Sequence, residues 1–409
     1  MATNILAARI RSVFFWIHLS VGVTAGTIVL IMSLTGVLLG YERQLIAWLD
    51  GAPTVVAPEG AERLPLDTLL ARAGLDRRDI ASVVMKTNPS APVMVRLRQA
   101  GQSPAALDPF TGTRLTTPQN GKTQAFMSWL RGWHRWLGVT TAQARPNARA
   151  ITGAANLGFL FLCLSGLYLW WPRRWTPAAV RSTTLFATGL RGKPRDFNWH
   201  NVFGFWAAIP LAIVVASAVF MSYQWPGRLL DRYWGTPEEE AAARRPIPAP
   251  APPSPPAAPA AAPTGPLTSF RPGDLSLTEL AAAAAKSDPD WQSMTITMPT
   301  ARDTTITFVL AAGNTYRPDL RTTVLLDPAT AAPRAVRSYG SLSTSRKIRA
   351  WYRFGHTGEV FGLFGQTVAT LASLGGVMLV WTGISLALRR FAAWRRRKAA
   401  SPVPLPDAA

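Results

Sequence analysis

Four windows of the chain, 13–40, 150–171, 202–223 and 366–388, carry few or no charged positions. Each is about 20 residues or longer, the length an α-helix needs to cross a hydrocarbon core. Between them the pattern breaks into shorter periods. After the first window come a helix-like stretch, LPLDTLLARAG, and two strand-like runs, IASVVMKTN and PVMVRLRQ, and LDPFTGTR closes the set over 107–114. After the third window the order recurs as LSLTELAAAAAKS, WQSMTITMP, TTITFVLAA and LLDPATAAPR, the last over 325–334. Asp-Pro followed by small residues is turn chemistry, because proline presets φ and a small residue closes the bend. The stretch PEEEAAARRPIPAPAPPSPPAAPAAAPTGP is too rich in Pro and Ala to pack and reads as an extended tether.

These elements predict a membrane α-helical fold: a four-transmembrane-helix bundle with two small periplasmic α+β modules, arranged as a tandem repeat. Residues 1–12 precede a helix over 13–40, and module 1 follows over 41–121. A surface helix and connection take 122–149, the second helix 150–172, a loop 173–197 and the third helix 198–224. The tether region covers 225–266, module 2 covers 267–345, a surface segment 346–365, the fourth helix 366–388 and a tail 389–409. The first window is too long for the apolar region of a secretion signal, so it counts as a span.

Composition agrees. Of 409 residues, 48% are hydrophobic and only 16% charged, and the mean hydropathy is +0.12. A soluble domain carries about a quarter charged residues. Lys and Arg placement orients the spans. The N-terminal segment, the 173–197 loop and the tail together hold 14 of the 43 basic residues but 2 of the 22 acidic ones, which predicts that both termini are cytoplasmic. The positive-inside rule accounts for that charge, so it gives no support to a nucleic-acid partner. The lone cysteine, Cys163, lies mid-span and has no partner for a disulfide or a metal cluster.

The repeat also carries chemistry. His18 begins the first helix and His200 the third; Thr35 and Ser217 each follow 17 residues later, and Tyr41 and Tyr223 each 6 after that. His134, in SWLRGWHRWLG, and His356, in FGHTGEVFG, precede the second and fourth helices. Topology places His18 and His200 at one membrane boundary and His134 and His356 at the other. Gly22, Gly138 and Gly204 each stand four residues after a histidine, while Gly358 and Gly362 follow His356. Opposed imidazoles in a helical bundle suit bis-histidine haem, and a glycine one turn away leaves room for a flat macrocycle. Zinc would need four ligands together, which two pairs a bilayer apart do not supply. The alternative keeps the histidines as members of an interfacial aromatic belt.

WHRWLG followed by LSGLYLWWPRR, and FGHTGEVFG followed by a helix ending in TGISLALRR, resemble the PepSY-associated transmembrane family, and LDPFTG resembles the end of a PepSY module. The resemblance covers nearly the whole chain and includes inner-membrane ferric-siderophore reductases. It implies a bacterial inner-membrane protein with two b-type haems whose axial ligands are His18, His134, His200 and His356. It implies electrons passing from a cytoplasmic or membrane donor to the His18/His200 haem, then outward to the His134/His356 haem and a ferric siderophore. The chain has no dinucleotide fingerprint, so flavin or nicotinamide chemistry belongs to that separate donor. Arg131, Arg135, Arg349 and Arg353, with Arg346 and Lys347, flank the outer histidines and are expected to meet haem propionates, an anionic chelate or lipid headgroups. Two other readings remain: a PepSY-type regulatory or binding protein without redox activity, and a haem subunit serving another periplasmic oxidoreductase.

Overall fold

The computed structural model describes residues 2–51, 53, 55–99, 104–115, 121–171, 175–244, 273–300, 303–313 and 316–399. The Pro/Ala-rich tether over 246–266 lies outside the described residues, as do Arg173, Arg174 and the last ten positions. The chain runs α1 (Ala2–Leu39), α2 (Glu42–Leu49), α3 (Leu66–Arg72), β1 (Ile80–Lys86), β2 (Val93–Leu97), β3 (Ala105–Leu107) and β4 (Arg114–Leu115). Next come α4 (Lys122–Trp136), α5 (Arg145–Trp170), α6 (Pro177–Thr184), α7 (Lys193–Ser222), α8 (Trp225–Trp234) and α9 (Pro237–Arg244). It ends with α10 (Leu277–Ala285), β5 (Ser293–Thr297), β6 (Ile306–Ala311), β7 (Arg321–Leu326), β8 (Pro333–Ser338), α11 (Thr344–Thr357) and α12 (Gly362–Ala399). Two compact units result, one of residues 1–42, 126–227 and 352–409, the other of 43–125 and 228–351.

Among the described residues of the first unit, four helices are long and apolar enough to span a membrane: Ile5–Leu39, Arg145–Trp170, Lys193–Ser222 and Glu359–Ala399. They outrun the hydropathy windows, because a window reports only the stretch without charges while Arg and Lys continue a helix readily. Pro146 looks like a separator, which is why an expected start falls at 150. It stands in the first turn of α5, where its missing N–H costs nothing.

α1 packs on α5 and α12, and α7 packs on the same two, so α1 and α7 stand diagonally across the bundle. The core holds Val29, Ala155, Phe159, Cys163, Leu211, Val215 and Ala372. Close approach depends on small residues, as expected where lipid supplies no hydrophobic drive between helices. A Cβ on Gly375 would lie 2.7 Å from that of Ala207. Large apolar side chains such as Ile209 and Leu371 face outward, exposed from the protein as lipid contact requires. Buried Asp196 on α7 is held by Arg195 at 2.8 Å and, from α12, by Arg389 at 3.2 Å and Ser385 at 2.7 Å.

The second unit holds the two expected α+β repeats, and their strands join in one sheet in the order β4-β3-β2-β1-β5-β6-β7-β8. The first strands of the two repeats, β1 and β5, pair antiparallel from Ser82↔Thr297 to Lys86↔Ser293. Apart, each would present a row of unpaired N–H and C=O groups; together each covers the other's edge. Leu69 and Leu70 of α3, Leu277 and Leu280 of α10, and Val83, Val95, Ile296, Phe308 and Val324 share a single core. Asp67 on α3 accepts from the backbone and hydroxyl of Thr278 on α10, at 3.1 and 3.0 Å, tying one repeat to the other.

The repeat recurs in the backbone hydrogen bonds around the Asp-Pro turns. The Pro109 carbonyl accepts from Leu64 at 2.9 Å, and that of Pro328 accepts from Leu275 at 2.9 Å. Gly112 takes φ of 77° in the first turn; Ala331 takes 56° in the second, a conformation that strains an L side chain.

Candidate functional site

Each histidine owes its position to a different element. His18 and His200 lie on the spanning helices α1 and α7, whereas His134 and His356 occupy the last turns of the shorter α4 and α11. The bundle brings them together in two pairs. Ring centres are 6.5 Å apart for His18 and His200, and 6.2 Å for His134 and His356.

A hydroxyl fixes three of the four rings. His18 Nδ1 meets Ser165 Oγ at 2.8 Å, His134 Nδ1 meets Thr35 Oγ1 at 2.9 Å, and His200 Nδ1 meets Thr382 Oγ1 at 2.9 Å. These hydroxyls already donate to carbonyls of their own helices: Ser165 to Phe161, Thr35 to Ile31 and Thr382 to Met378. A hydroxyl whose proton is so engaged accepts from the imidazole, so Nδ1 carries the ring proton and Nε2 keeps its lone pair. At the fourth ring the acceptor is plain, since His356 Nδ1 donates to the Val214 carbonyl at 2.8 Å; Ser217 Oγ is 3.3 Å away. His134 and His356 lie outside the spans, and burial lowers the pKa of both; the facing imidazole adds to this at His134, which falls to about 4. Both are therefore neutral at pH 7, as a ligating ring must be.

Three of the hydroxyl residues are followed by glycine. A Cβ on Gly36, Gly166 or Gly383 would stand 3.4, 3.5 or 3.4 Å from the Cε1 of His134, His18 or His200. At the fourth site the successor of Ser217 is Ala218, and there the hydroxyl is the most distant. Ser165 and Thr382 had no assigned role in the sequence, although they open the quoted SGLYLWW and TGISLALRR. Thr35 and Ser217 served only as spacing markers. The readable signal was Ser/Thr-Gly at repeat-equivalent positions.

A cavity of about 800 Å³ surrounds His18 and His200. Gly22, Gly26 and Gly204 line it, with Arg11, Lys193 and Arg390 among its other walls. Trp170 also lines it, and its indole Nε1 is buried without an acceptor among the described residues.

The sequence profile of a family described as the PepSY-associated TM region matches residues 15–390. The chain belongs to that family. No curated protein matches it.

Whether a PepSY-associated bundle of this geometry fits haem can be tested on its distances. A metal–imidazole bond is about 2 Å and the ring centre lies about 1 Å further on, so two trans imidazoles have centres roughly 6 Å apart. Both pairs meet this. No cluster of three or more His, Cys, Asp or Glu occurs among the described residues, so a metal here must bring its own remaining donors, as a porphyrin does. At the His18/His200 cavity the glycine-lined walls leave room for a flat ring, and the orphaned Trp170 N–H with Arg11, Lys193 and Arg390 suits its carboxylates. There the residues fit the group; at the His134/His356 pair the ring spacing fits it.

The arginines flanking the second pair divide into two sets. Arg131 pairs with Glu42 at 3.1 Å, Arg349 with Asp231 at 2.7 Å, and Arg346 with Glu239. Lys347 lies over the Tyr339 ring. Arg135 and Arg353 have no carboxylate partner among the described residues. Burial, then Arg149, Arg131 and Arg353, pull the Arg135 guanidinium below its ordinary pKa.

Proposed function

We propose that this PepSY-associated membrane protein is a two-haem reductase of the bacterial inner membrane, moving electrons from a cytoplasmic-side donor to a periplasmic ferric siderophore. The observation that carries the reading is the pair of facing imidazoles at each end of the bundle, every Nδ1 satisfied and every Nε2 left with its lone pair. Lys and Arg bias favours cytoplasmic termini, which assigns His18 and His200 to the inner side and His134 and His356 to the outer.

Haem held by these pairs would supply one-electron chemistry within a medium that excludes ions and protons. The chain's own part is positional. Ser165, Thr382, Thr35 and the Val214 carbonyl hold each ring by its Nδ1–H, so ligation does not require a tautomer change. Phe159, Val29 and Leu211 pack in one apolar cluster of the bundle core. Arg11, Lys193 and Arg390 offer cations for carboxylates at the inner cavity. Each ferric ion takes one electron at the outer side, and the ferrous product is held less tightly by hard oxygen chelators.

The test is the absorption spectrum and haem content of the purified protein. Two haems per chain with a low-spin, bis-imidazole spectrum are expected; a colourless, folded protein overturns the reading. Growth on a ferric siderophore as sole iron source, with and without the gene, then separates a siderophore reductase from a haem subunit serving another enzyme.

A further inference from the structure

A second group of cations lies beside the His134/His356 pair. Arg135 and Arg145 both lie over the ring of Trp136, at 4.8 and 4.5 Å from its centre. Arg149, one turn along α5 from Arg145, donates to the Met221 carbonyl at 2.5 Å. Arg353 stands three residues before His356 and, with Arg149, bears electrostatically on Arg135. The Arg135 carbonyl is in turn tied to α5 by the Thr152 hydroxyl at 3.2 Å, which joins the backbones that carry Arg135, Arg145 and Arg149. Among the described residues no carboxylate pairs with Arg135, Arg145, Arg149 or Arg353.

Like charges gathered at this range repel one another, and an anion removes that cost. Topology gives no other reason for them. On the proposed orientation they lie on the outer side, where the positive-inside rule favours no cations. Guanidinium groups held over an indole face by cation–π attraction still have N–H donors to offer, and these match carboxylates two bonds at a time.

We propose that Arg135, Arg145, Arg149 and Arg353 form a receiving site for the carboxylates of an anionic, polycarboxylate ferric chelate. The identity of the ligand rests on the reductase reading; the existence of an oxyanion site does not. The same chemistry is offered by lipid phosphates and by haem propionates, so the experiment separates the three.

Full-length protein in nanodiscs of zwitterionic lipid is titrated with gallium(III) citrate, which mimics the ferric complex but takes no electron. Wild type is compared with the double variants Arg145→Gln/Arg149→Gln and Arg145→Lys/Arg149→Lys. The expected result is binding at least about tenfold weaker in the Gln variant, largely recovered in the Lys variant, with an unaltered haem spectrum. A neutral gallium trihydroxamate should bind all three alike. Equal citrate binding in the Gln variant overturns the proposal. So does loss of a haem band with citrate binding intact, which would give these arginines to propionates. No citrate binding by wild type, together with a change in anionic-lipid association between wild type and variant, would give them to headgroups. If the Gln variant does not fold, salt is read on wild type instead, and citrate affinity that does not fall as the Debye length shrinks from about 10 to about 3 Å overturns the proposal equally. Gallium citrate bound at these arginines by a protein that reduces nothing would sink the reductase reading and leave the site. Chelate reduction with one KM in wild type and Gln variant would do the reverse.

Discussion

The two ends of the bundle solve one problem with different scaffolds. At the first end both imidazoles grow from spanning helices, inside a glycine-lined cavity. At the second end they are carried by the last turns of α4 and α11, while their hydrogen-bond acceptors sit on the spanning helices α1 and α7. α1 and α7 supply the rings at one end and the acceptors at the other, and three of the four rings keep one local device, a hydroxyl followed by glycine against the imidazole, while His356 donates to the Val214 carbonyl. The difference teaches that position in the bundle is secured by the acceptor as much as by the histidine. Rings on short helices depend on the acceptor most.

Removal of the rings should have the largest effect. His18→Ala and His200→Ala should each abolish the same haem, and His134→Ala and His356→Ala the other, with haem content falling from two to one per chain. If His18→Ala and His134→Ala removed the same haem, the assignment by ends would be wrong.

Removing the acceptors sharpens it. Ser165→Ala and Thr382→Ala should weaken retention of the first haem about tenfold, because each strands an Nδ1–H inside the bundle. Ser217→Ala should do far less, since the Val214 carbonyl still accepts from His356. Haem-transfer assays to apomyoglobin measure both. A Ser217→Ala effect as large as that of Ser165→Ala would show that the fourth site uses its hydroxyl after all.

The sheet allows the same comparison between repeats. Burial pushes the Asp67 carboxyl up, but the bonds from Thr278 and Arg77 pull harder and leave it below its ordinary value. A lowered folded pKa stabilises above the unfolded value, about 4, and that contribution fades as pH falls through the folded value. Asp67→Ala should therefore cost about 1–3 kcal/mol at neutral pH and progressively less below pH ~4. Thermal unfolding followed by near-ultraviolet circular dichroism at both pH values reads it.

The smallest effect belongs to the turns. Ala331→Gly should stabilise by about 0.5–1 kcal/mol by relieving positive φ. Gly112→Ala should destabilise by more, because its Cβ would also stand 2.8 Å from that of Arg72. Equal and opposite shifts in Tm would mean that φ alone matters at both turns.

Four spans, the order of strands within each repeat, the two Asp-Pro turns and the repeat-equivalent placing of the histidines are all legible along the chain. Those are local properties: hydropathy over one helix length, alternation over one strand, and intervals counted along the chain. Contacts between distant segments emerge only in the folded chain. The partners of His18 and His200 are 147 and 182 residues away, and nothing in a window around either ring names Ser165 or Thr382. Arg349 and Arg131 looked equivalent to Arg353 and Arg135 until Asp231 and Glu42 took the first two. The joining of two modules into one sheet was likewise hidden, because an unpaired strand edge reads in sequence like a paired one. Hydropathy records what a segment must bury; which other segment buries it is settled by the packing of the whole chain.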